Sequence, residues 1–194
     1  MPPKPKFTRD EIVSAALSIV SEHGPDALTA RSLGTELGSS ARPIFTVFDS
    51  MEELQQAVHE AAMQRFEGYA ARVQGYEPAF KRIGMQMVLF GAEEPWLYRL
   101  LFMQNTHVNS FEDLTAALGH TAEESVQVLR RDYALDEEQA RSLFETTWIF
   151  TFGTGALCAT GMCRFSEEKL SALLTREFTA LLSDLKRGER GGAV

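Results

Sequence analysis

The sequence predicts an all-α protein with a small N-terminal three-helix domain that contains a helix-turn-helix, followed by a larger helical domain. Apolar residues recur three or four positions apart through most of the chain, and residues that cap helices precede most of these segments. No segment shows the alternation of a strand worth assigning. We divide the chain into residues 1–50, residues 51–187 and a tail, 188–194, that we expect to be disordered.

The first helix is predicted to begin after Thr8. Thr8 and Glu11 have the spacing of a capping box, in which each side chain accepts a backbone N–H of the other. Apolar residues at helical spacing follow: Ile12, Ala15, Ala16, Ile19 and Val20. Gly24 and Pro25 then end the helix.

Two shorter helices are predicted next. Thr29 is the expected cap of the second helix, which ends near Gly38. Ser39 is expected to open a third helix of one to two turns through Phe48, with Pro43 in its first turn, where a missing N–H costs little. Two short helices joined by a glycine-containing turn are typical of a helix-turn-helix.

The remaining sequence predicts longer helices. Ser50 is the expected cap of a helix from Met51 to about Val73. Later helices are expected to begin after Glu77, Glu94, Ser110, Thr121, Asp136 and Ser166. The helix after Asp136 is predicted to reach about Met162, and the last to cover residues 167–186.

Residues 146–163 form a run of 18 residues without charge. That length is at the lower limit for a membrane-spanning helix, but the run contains five threonines and three glycines. We therefore interpret it as a buried helix of a soluble protein.

The two cysteines, Cys158 and Cys163, are too few for a disulfide framework, and no secretory signal precedes them. We expect a cytoplasmic location. A thiol switch or a metal pair is the alternative to buried structural cysteines, which we favour because positions five apart on a helix face different directions.

The net charge of −8 argues, for the chain as a whole, against binding to nucleic acid. The charge is unevenly distributed: residues 1–48 carry five basic and five acidic residues, whereas residues 49–194 carry 14 basic and 22 acidic ones. The N-terminal domain is therefore neutral, so the acidity does not exclude DNA there. It predicts weak non-specific binding, with specificity resting on few contacts.

Five short motifs follow one another within residues 8–58: His23-Gly24, Leu28-Thr29, Leu37-Gly38-Ser39, Phe45-Thr-Val-Phe48 and Ser50-Met-Glu-Glu-Leu54. Together they resemble the helix-turn-helix region of the TetR family of transcriptional regulators. The resemblance implies a homodimer whose N-terminal domain binds double-stranded DNA at a near-palindromic operator. It also implies a C-terminal helical domain that binds a small effector and forms the dimer interface.

Two positions depart from the family pattern. Phe45 stands where the family often has a tyrosine whose hydroxyl contacts phosphate, and Met51 stands where it often has a lysine. Both changes weaken phosphate anchoring. They keep open an alternative: a helical small-molecule-binding or adaptor dimer with weak or lost DNA binding.

The first turns of a recognition helix face the base edges. Arg42 is the residue there able to make a bidentate contact to guanine, and Thr46 is expected to reach a thymine methyl or a phosphate. Phe45 fits either core packing or the groove. The N-terminus of the second helix suits a phosphate, and the basic arm could reach the DNA or be a solubilising tail. The DNA-binding candidates are Lys4, Lys6, Thr29, Arg31, Ser39, Ser40, Arg42, Phe45 and Thr46. Arg9 belongs to the same arm.

The second domain is rich in methionine and aromatic residues, which can line an adaptable apolar pocket or simply form the core. The ligand-binding candidates are Met85, Phe90, Trp96, Phe102, Met103, His107, Trp148 and Phe152. We expect a mainly hydrophobic ligand; the acidity of the domain is a weaker argument for a cationic one.

Small residues late in the chain predict close helix contacts across a dimer. Gly155 and Ala159 would admit a neighbouring helix, and Leu174, Phe178 and Leu181 belong to the apolar stripe of the last helix.

No catalytic or cofactor motif occurs: the chain has no HExxH, no G-x-S-x-G, no P-loop and no G-x-G-x-x-G. We therefore expect no enzyme, no cofactor and no metal site. The function we infer is a ligand-responsive regulator, expected to be a repressor that a small hydrophobic effector releases from its operator.

Overall fold

The computed structural model describes residues 6–104 and 120–191, and the side chains of 6–104 and 122–187. Within these ranges the chain is all helical, without strands. The helices are α1 (Arg9–His23), α2 (Ala30–Glu36), α3 (Met51–Arg72), α4 (Ala79–Glu93), α5 (Pro95–Phe102), α6 (His120–Tyr133), α7 (Glu137–Ala159) and α8 (Glu167–Gly191). This confirms the predicted fold class.

Several predicted helix caps form, but Thr121, which was expected to precede a helix, lies inside α6, because that helix already begins at His120. Thr8 and Glu11 make the full capping box at α1, and Asp136 makes the equivalent box at α7. Thr29 caps α2, and Ser50 caps α3 through its hydroxyl. Each cap is a local interaction over three residues, which is why spacing alone predicts it.

The third predicted helix is only a 3₁₀ turn, Ile44–Thr46. Its N–H groups bond three residues back: Ile44 donates to the carbonyl of Ala41 at 3.1 Å, and Thr46 to that of Pro43 at 3.2 Å. Proline lacks an N–H and disfavours helical geometry at Arg42, the residue before it, so a regular first turn does not form.

The N-terminal domain packs α1, α2 and the 3₁₀ turn against the beginning of α3. Its fully buried side chains include Ile12, Leu33, Ile44, Phe48 and Leu54. The Arg9 guanidinium donates to Glu53 at 2.7 Å and lies 4.3 Å from the centre of the Phe48 ring. Arg9 therefore joins the beginnings of α1 and α3.

The second domain is built on the crossing of α4 and α7. A Cβ atom on Gly91 would come within 2.8 Å of the carbonyl oxygen of Gly155, so the two backbones touch. Gly155 also lies against Tyr98, whose hydroxyl donates to the carbonyl of Phe152 at 2.9 Å. The close approach that the small residues of α7 allow is thus made within one chain.

The residues predicted for the dimer interface also make contacts within the chain. Gly155 and Ala159 are buried inside the chain, and Leu174 packs over Gly84 of α4. Phe178 contacts the rings of Phe80 and Tyr133, while Leu181 is half-buried.

Helix α8 continues to Gly191, beyond its predicted end at residue 186. A single glycine such as Gly188 costs a helix only about 1 kcal/mol and does not end it. Lys4, His107, the helix predicted after Ser110 and residues 192–194 lie outside the described residues. In the described ranges no helix is long and apolar enough to cross a membrane.

Candidate functional site

The helix-turn-helix is held by backbone contact at Gly34. A Cβ atom on this residue of α2 would lie 3.0 Å from the backbone nitrogen of Ala41 and 3.0 Å from the carbonyl carbon of Ser40. The N–H of Ser39 donates to the carbonyl of Gly34 at 2.8 Å. Gly34 therefore lets the turn lie directly on α2. Sequence reasoning missed it, although a glycine inside a helix was the available signal.

Two arginines of the domain are exposed and have no ion pair or hydrogen bond from their side chains to any described residue. Arg31 lies on the first turn of α2, and Arg42 directly precedes the 3₁₀ turn. Arg9, Arg65 and Arg72 are by contrast each held by a glutamate. Arg31 and Arg42 are thus available to an outside anion.

The surface next to Arg42 is formed by residues of the 3₁₀ turn. Phe45 is 45% exposed, so it is a surface residue here, whereas Phe48 is buried at 1%. Ser40 and Thr46 are also exposed. The hydroxyl of Thr46 donates to the carbonyl of Pro43 at 2.6 Å.

The basic arm meets the turn. The ammonium of Lys6 donates to the hydroxyl of Ser39 at 3.0 Å, so these two DNA-binding candidates are neighbours. Arg9, from the same arm, forms an ion pair with Glu53 instead. Thr29 is also engaged, because its hydroxyl accepts the N–H of Ser32 at 3.0 Å as the cap of α2.

A cavity of about 520 Å³ lies in the second domain. Its lining is mostly aromatic and aliphatic, with contributions from α3, α4, α5, α6, α7 and α8. The aromatic part consists of Phe66, Phe80, Phe102, Tyr133, Phe144, Trp148 and Phe178. Its volume is within the range that holds drug-sized ligands.

Two of the ligand-binding candidates, Phe102 and Trp148, line this cavity. Phe152 stacks on Trp148 with ring centres 5.2 Å apart, in a second layer. Four other candidates do not line it: Met85 and Phe90 are fully buried in the core, Met103 is 39% exposed, and Trp96 lies elsewhere.

Polar residues of the cavity wall were not among the sequence candidates. They include Gln86, Lys81 and Thr147. Gln86 is satisfied, because its amide donates to the carbonyl of Phe66 at 2.9 Å. Thr147 was not predicted, because the candidates were large apolar residues, although five threonines in an uncharged segment were a usable signal.

Trp96 connects the two domains. Its ring lies so close to Gly24, at the end of α1, that a Cβ atom there would come within 2.8 Å of it. The guanidinium of Arg99 lies 4.4 Å from the centre of the Trp96 indole, on the same helix. Because Phe102 of this helix lines the cavity, α5 reaches from the cavity to the N-terminal domain.

Comparison with solved structures identifies the architecture. A transcriptional regulator from Rhodococcus sp. Rha1 superposes with a TM-score of 0.63, at 13% identity, over 92% of this chain and 97% of that one. A TetR variant from Acinetobacter baumannii AYE, solved in complex with minocycline, gives a TM-score of 0.56 at 16% identity, over 94% and 98% of the two chains. The chain has the TetR-family fold.

Two further comparisons match proteins that are named as regulators. The fatty acid degradation regulator FadR from Bacillus halodurans has a TM-score of 0.57 at 15% identity, over 94% of this chain and 97% of that one. An uncharacterized HTH-type transcriptional regulator of Mycobacterium tuberculosis is 38% identical over 53 residues. That match covers 27% of this chain and spans about a quarter, 24%, of the relative's length. No protein-family model matches the chain.

In the described residues no three His, Cys, Asp or Glu side chains converge as a metal site. Cys158 is buried, and burial, followed by the nearby Cys163, raises the pKa of its thiol. A less acidic thiol is a poorer nucleophile. Two features of the described residues are relevant to binding: a surface with the exposed arginines Arg31 and Arg42, and an apolar cavity.

Proposed function

We propose that this protein is a DNA-binding transcriptional regulator of the TetR type, released from its operator by a small, mainly hydrophobic ligand. The observation that carries the proposal is the pair Arg31 and Arg42, which are exposed and have no partner among the described residues, on a glycine-packed helix-turn-helix in a TetR fold. A guanidinium suits both phosphate and guanine. Arg42 then reads base edges, and Arg31, Lys6 and Ser39 anchor the backbone.

A homodimer on near-palindromic DNA is part of the proposal, because a two-fold dimer presents two such surfaces to successive major grooves. Exposed apolar residues on and just after α7 support a partner on that side: Ile149 is 54% exposed, Leu157 38% and Met162 75%. Burial of such side chains against a partner would be favourable.

Ligand binding is proposed to act through α3 and α5. Helix α3 carries Met63 and Phe66 in the cavity wall, and its first turn is tied to α1 by Glu53 and Arg9. A tilt of α3 caused by the ligand would therefore move the N-terminal domain and change the spacing of the two reading surfaces. The size of the effect must equal the ligand's difference in affinity between the two states.

A second candidate is a ligand-binding or adaptor dimer whose helix-turn-helix no longer binds DNA. Two observations favour it: Phe45 offers no hydroxyl to a phosphate, and residues 1–48 have no net positive charge.

Footprinting on the DNA that flanks the protein's own gene, at low and moderate salt, separates the two. The regulator predicts a protected, near-palindromic site for a protein that sediments as a dimer. A folded dimer that protects no site at low salt would establish the adaptor instead.

A further inference from the structure

One buried hydroxyl in the cavity wall has no partner. The Thr147 side chain is 8% exposed, and its Oγ1 makes no hydrogen bond within the described part of the chain. Its neighbours Thr146, Thr151 and Thr154 each donate to the carbonyl four residues earlier, at 3.0, 2.7 and 2.9 Å. Leaving a buried hydroxyl without a partner is unfavourable, and an oxygen of a ligand would restore the missing hydrogen bond.

Lys81 also lines the cavity, and its charge has no carboxylate partner among the described residues. The Lys81 ammonium donates to the hydroxyl of Ser171 at 2.6 Å and lies 5.3 Å from the centre of the Tyr76 ring. No carboxylate pairs with it among the residues described. Partial burial lowers the pKa of Lys81, which is the effect expected of an ammonium that has lost water without gaining an anion.

The other charged residue of the lining is Glu67, which differs from Lys81 in being exposed. Water solvates an exposed carboxylate at little cost, whereas a half-buried ammonium gains most from a direct partner. Local charge at a site outweighs the net charge of a domain. The wall therefore argues against the cationic ligand that the domain's acidity suggested.

Taking the cavity as the effector site of the proposed function, we propose that its ligand is an amphiphilic monocarboxylate with an aromatic or aliphatic body. The carboxylate pairs with Lys81, and an oxygen of the ligand accepts a hydrogen bond from the hydroxyl of Thr147. The apolar body of the ligand packs on Phe66, Phe102 and Trp148. A single lysine matches a single negative charge, and the aromatic walls match an apolar body.

Two series of probes test this ligand class: 4-biphenylcarboxylate, 4-biphenylmethanol and 4-biphenylmethylamine, and dodecanoate, dodecanol and dodecylamine. Binding to the whole protein is measured by calorimetry without DNA. We expect the carboxylate of at least one series to bind about tenfold or more tightly than its alcohol and amine. An amine that binds as tightly, or six probes that all fail to bind, would overturn the proposal.

Variants assign the two contacts. Lys81→Met should abolish the preference for carboxylate, while Lys169→Met, an exposed lysine outside the cavity, should keep it. Thr147→Val should weaken the preferred carboxylate about five- to tenfold, and Thr146→Val, its exposed neighbour, should not. If the preference survives Lys81→Met, and Lys81→Gln as a second variant, the charge assignment is overturned. Unchanged affinity in Thr147→Val would overturn the contact assigned to this hydroxyl.

These outcomes are separate from those of the proposed function. Probe binding needs no DNA, so loss of operator binding would leave the ligand class intact. Conversely, a protein that protects an operator but prefers the amines would refute the ligand class alone.

Discussion

The indole of Trp96 lies against the backbone of Gly24, at a distance where a Cβ atom on residue 24 would be 2.8 Å from ring carbon Cε3. Gly24 follows α1 with a φ of +88°, a conformation that favours glycine. The contact therefore depends on glycine in two ways, by backbone conformation and by space. It is a direct connection between the N-terminal domain and the helix that also carries Phe102 into the cavity wall.

Replacing Gly24 with alanine should lower the free energy of unfolding by about 2–4 kcal/mol, because backbone strain and overlap with the indole add. Urea unfolding measures it. The control is Gly38→Ala, at a φ of +60° but with no atom within 4 Å of the new Cβ, which should cost only the strain, about 1–2 kcal/mol. An equal loss of unfolding free energy in Gly24→Ala and Gly38→Ala would contradict a tight contact between Trp96 and Gly24.

Replacing Gly34 with alanine should destabilise the protein by about 1–3 kcal/mol, since the new Cβ meets the backbone of Ser40 and Ala41, which cannot rotate away. Gly68, in α3, is the matched control because it is also helical but faces open space. Gly68→Ala should stabilise by about 0.5–1 kcal/mol. Thermal unfolding compares the pair, and a stabilised Gly34→Ala would refute the packing described for the turn.

Gly155 and Gly153 test whether the small residues of α7 serve the interior of the chain. A Cβ on Gly155 would lie 2.6 Å from the hydroxyl oxygen of Tyr98, whereas a Cβ on Gly153 would meet nothing within 4 Å. Gly155→Ala should therefore lower the free energy of unfolding by about 1–3 kcal/mol. Gly153→Ala should raise it slightly. Unfolding at several protein concentrations checks this, because a loss confined to dimer dissociation would instead favour a subunit contact at Gly155.

Low pH should weaken the ion pair between Glu53 and Arg9. The hydrogen bond from Arg9, followed by one from the N–H of Asp49, lowers the pKa of Glu53 below its usual value of 4.5. Such a carboxylate stabilises the fold above the unfolded pKa, and the contribution is lost as pH falls through the folded pKa. Glu53→Gln should therefore be less stable than the wild type at pH 7, with a gap that closes at pH values below 4.5.

Melting curves between pH 7 and pH 3.5 or so measure this gap. The control is Glu36→Gln, an exposed carboxylate at the end of α2 that makes no ion pair with the described residues. A gap for Glu53→Gln that persists in acid would show that packing, and not charge, explains the effect.

Features set by neighbours in sequence could be predicted. The caps at Thr8, Thr29 and Asp136 form because the bonded groups are three residues apart. Among the local features, the third helix was predicted wrongly, because Pro43 was expected to be tolerated in a first turn. In the structure its effect on Arg42 leaves only a 3₁₀ turn.

Features set by tertiary partners could not be predicted. The sequence indicates that Gly155 admits a close neighbour, but not whether that neighbour belongs to the same chain. The size of Trp96 suggested a ligand contact, and the fold instead brings it to Gly24. The lack of a hydrogen bond from the Thr147 hydroxyl to any described residue depends on a cavity that several helices form together.

The most direct measurement is the affinity of wild type and Arg42→Ala for a preferred DNA site and for unrelated DNA, over a range of salt concentrations. We expect wild type to prefer one site, and Arg42→Ala to lose about 1–3 kcal/mol on that site and relax the base preference. Arg141→Ala, which breaks only a pair with Glu137 on α7, should behave as wild type. Unchanged base selectivity in Arg42→Ala, or a wild-type protein without any preferred site at low salt, would contradict a DNA-reading surface centred on Arg42.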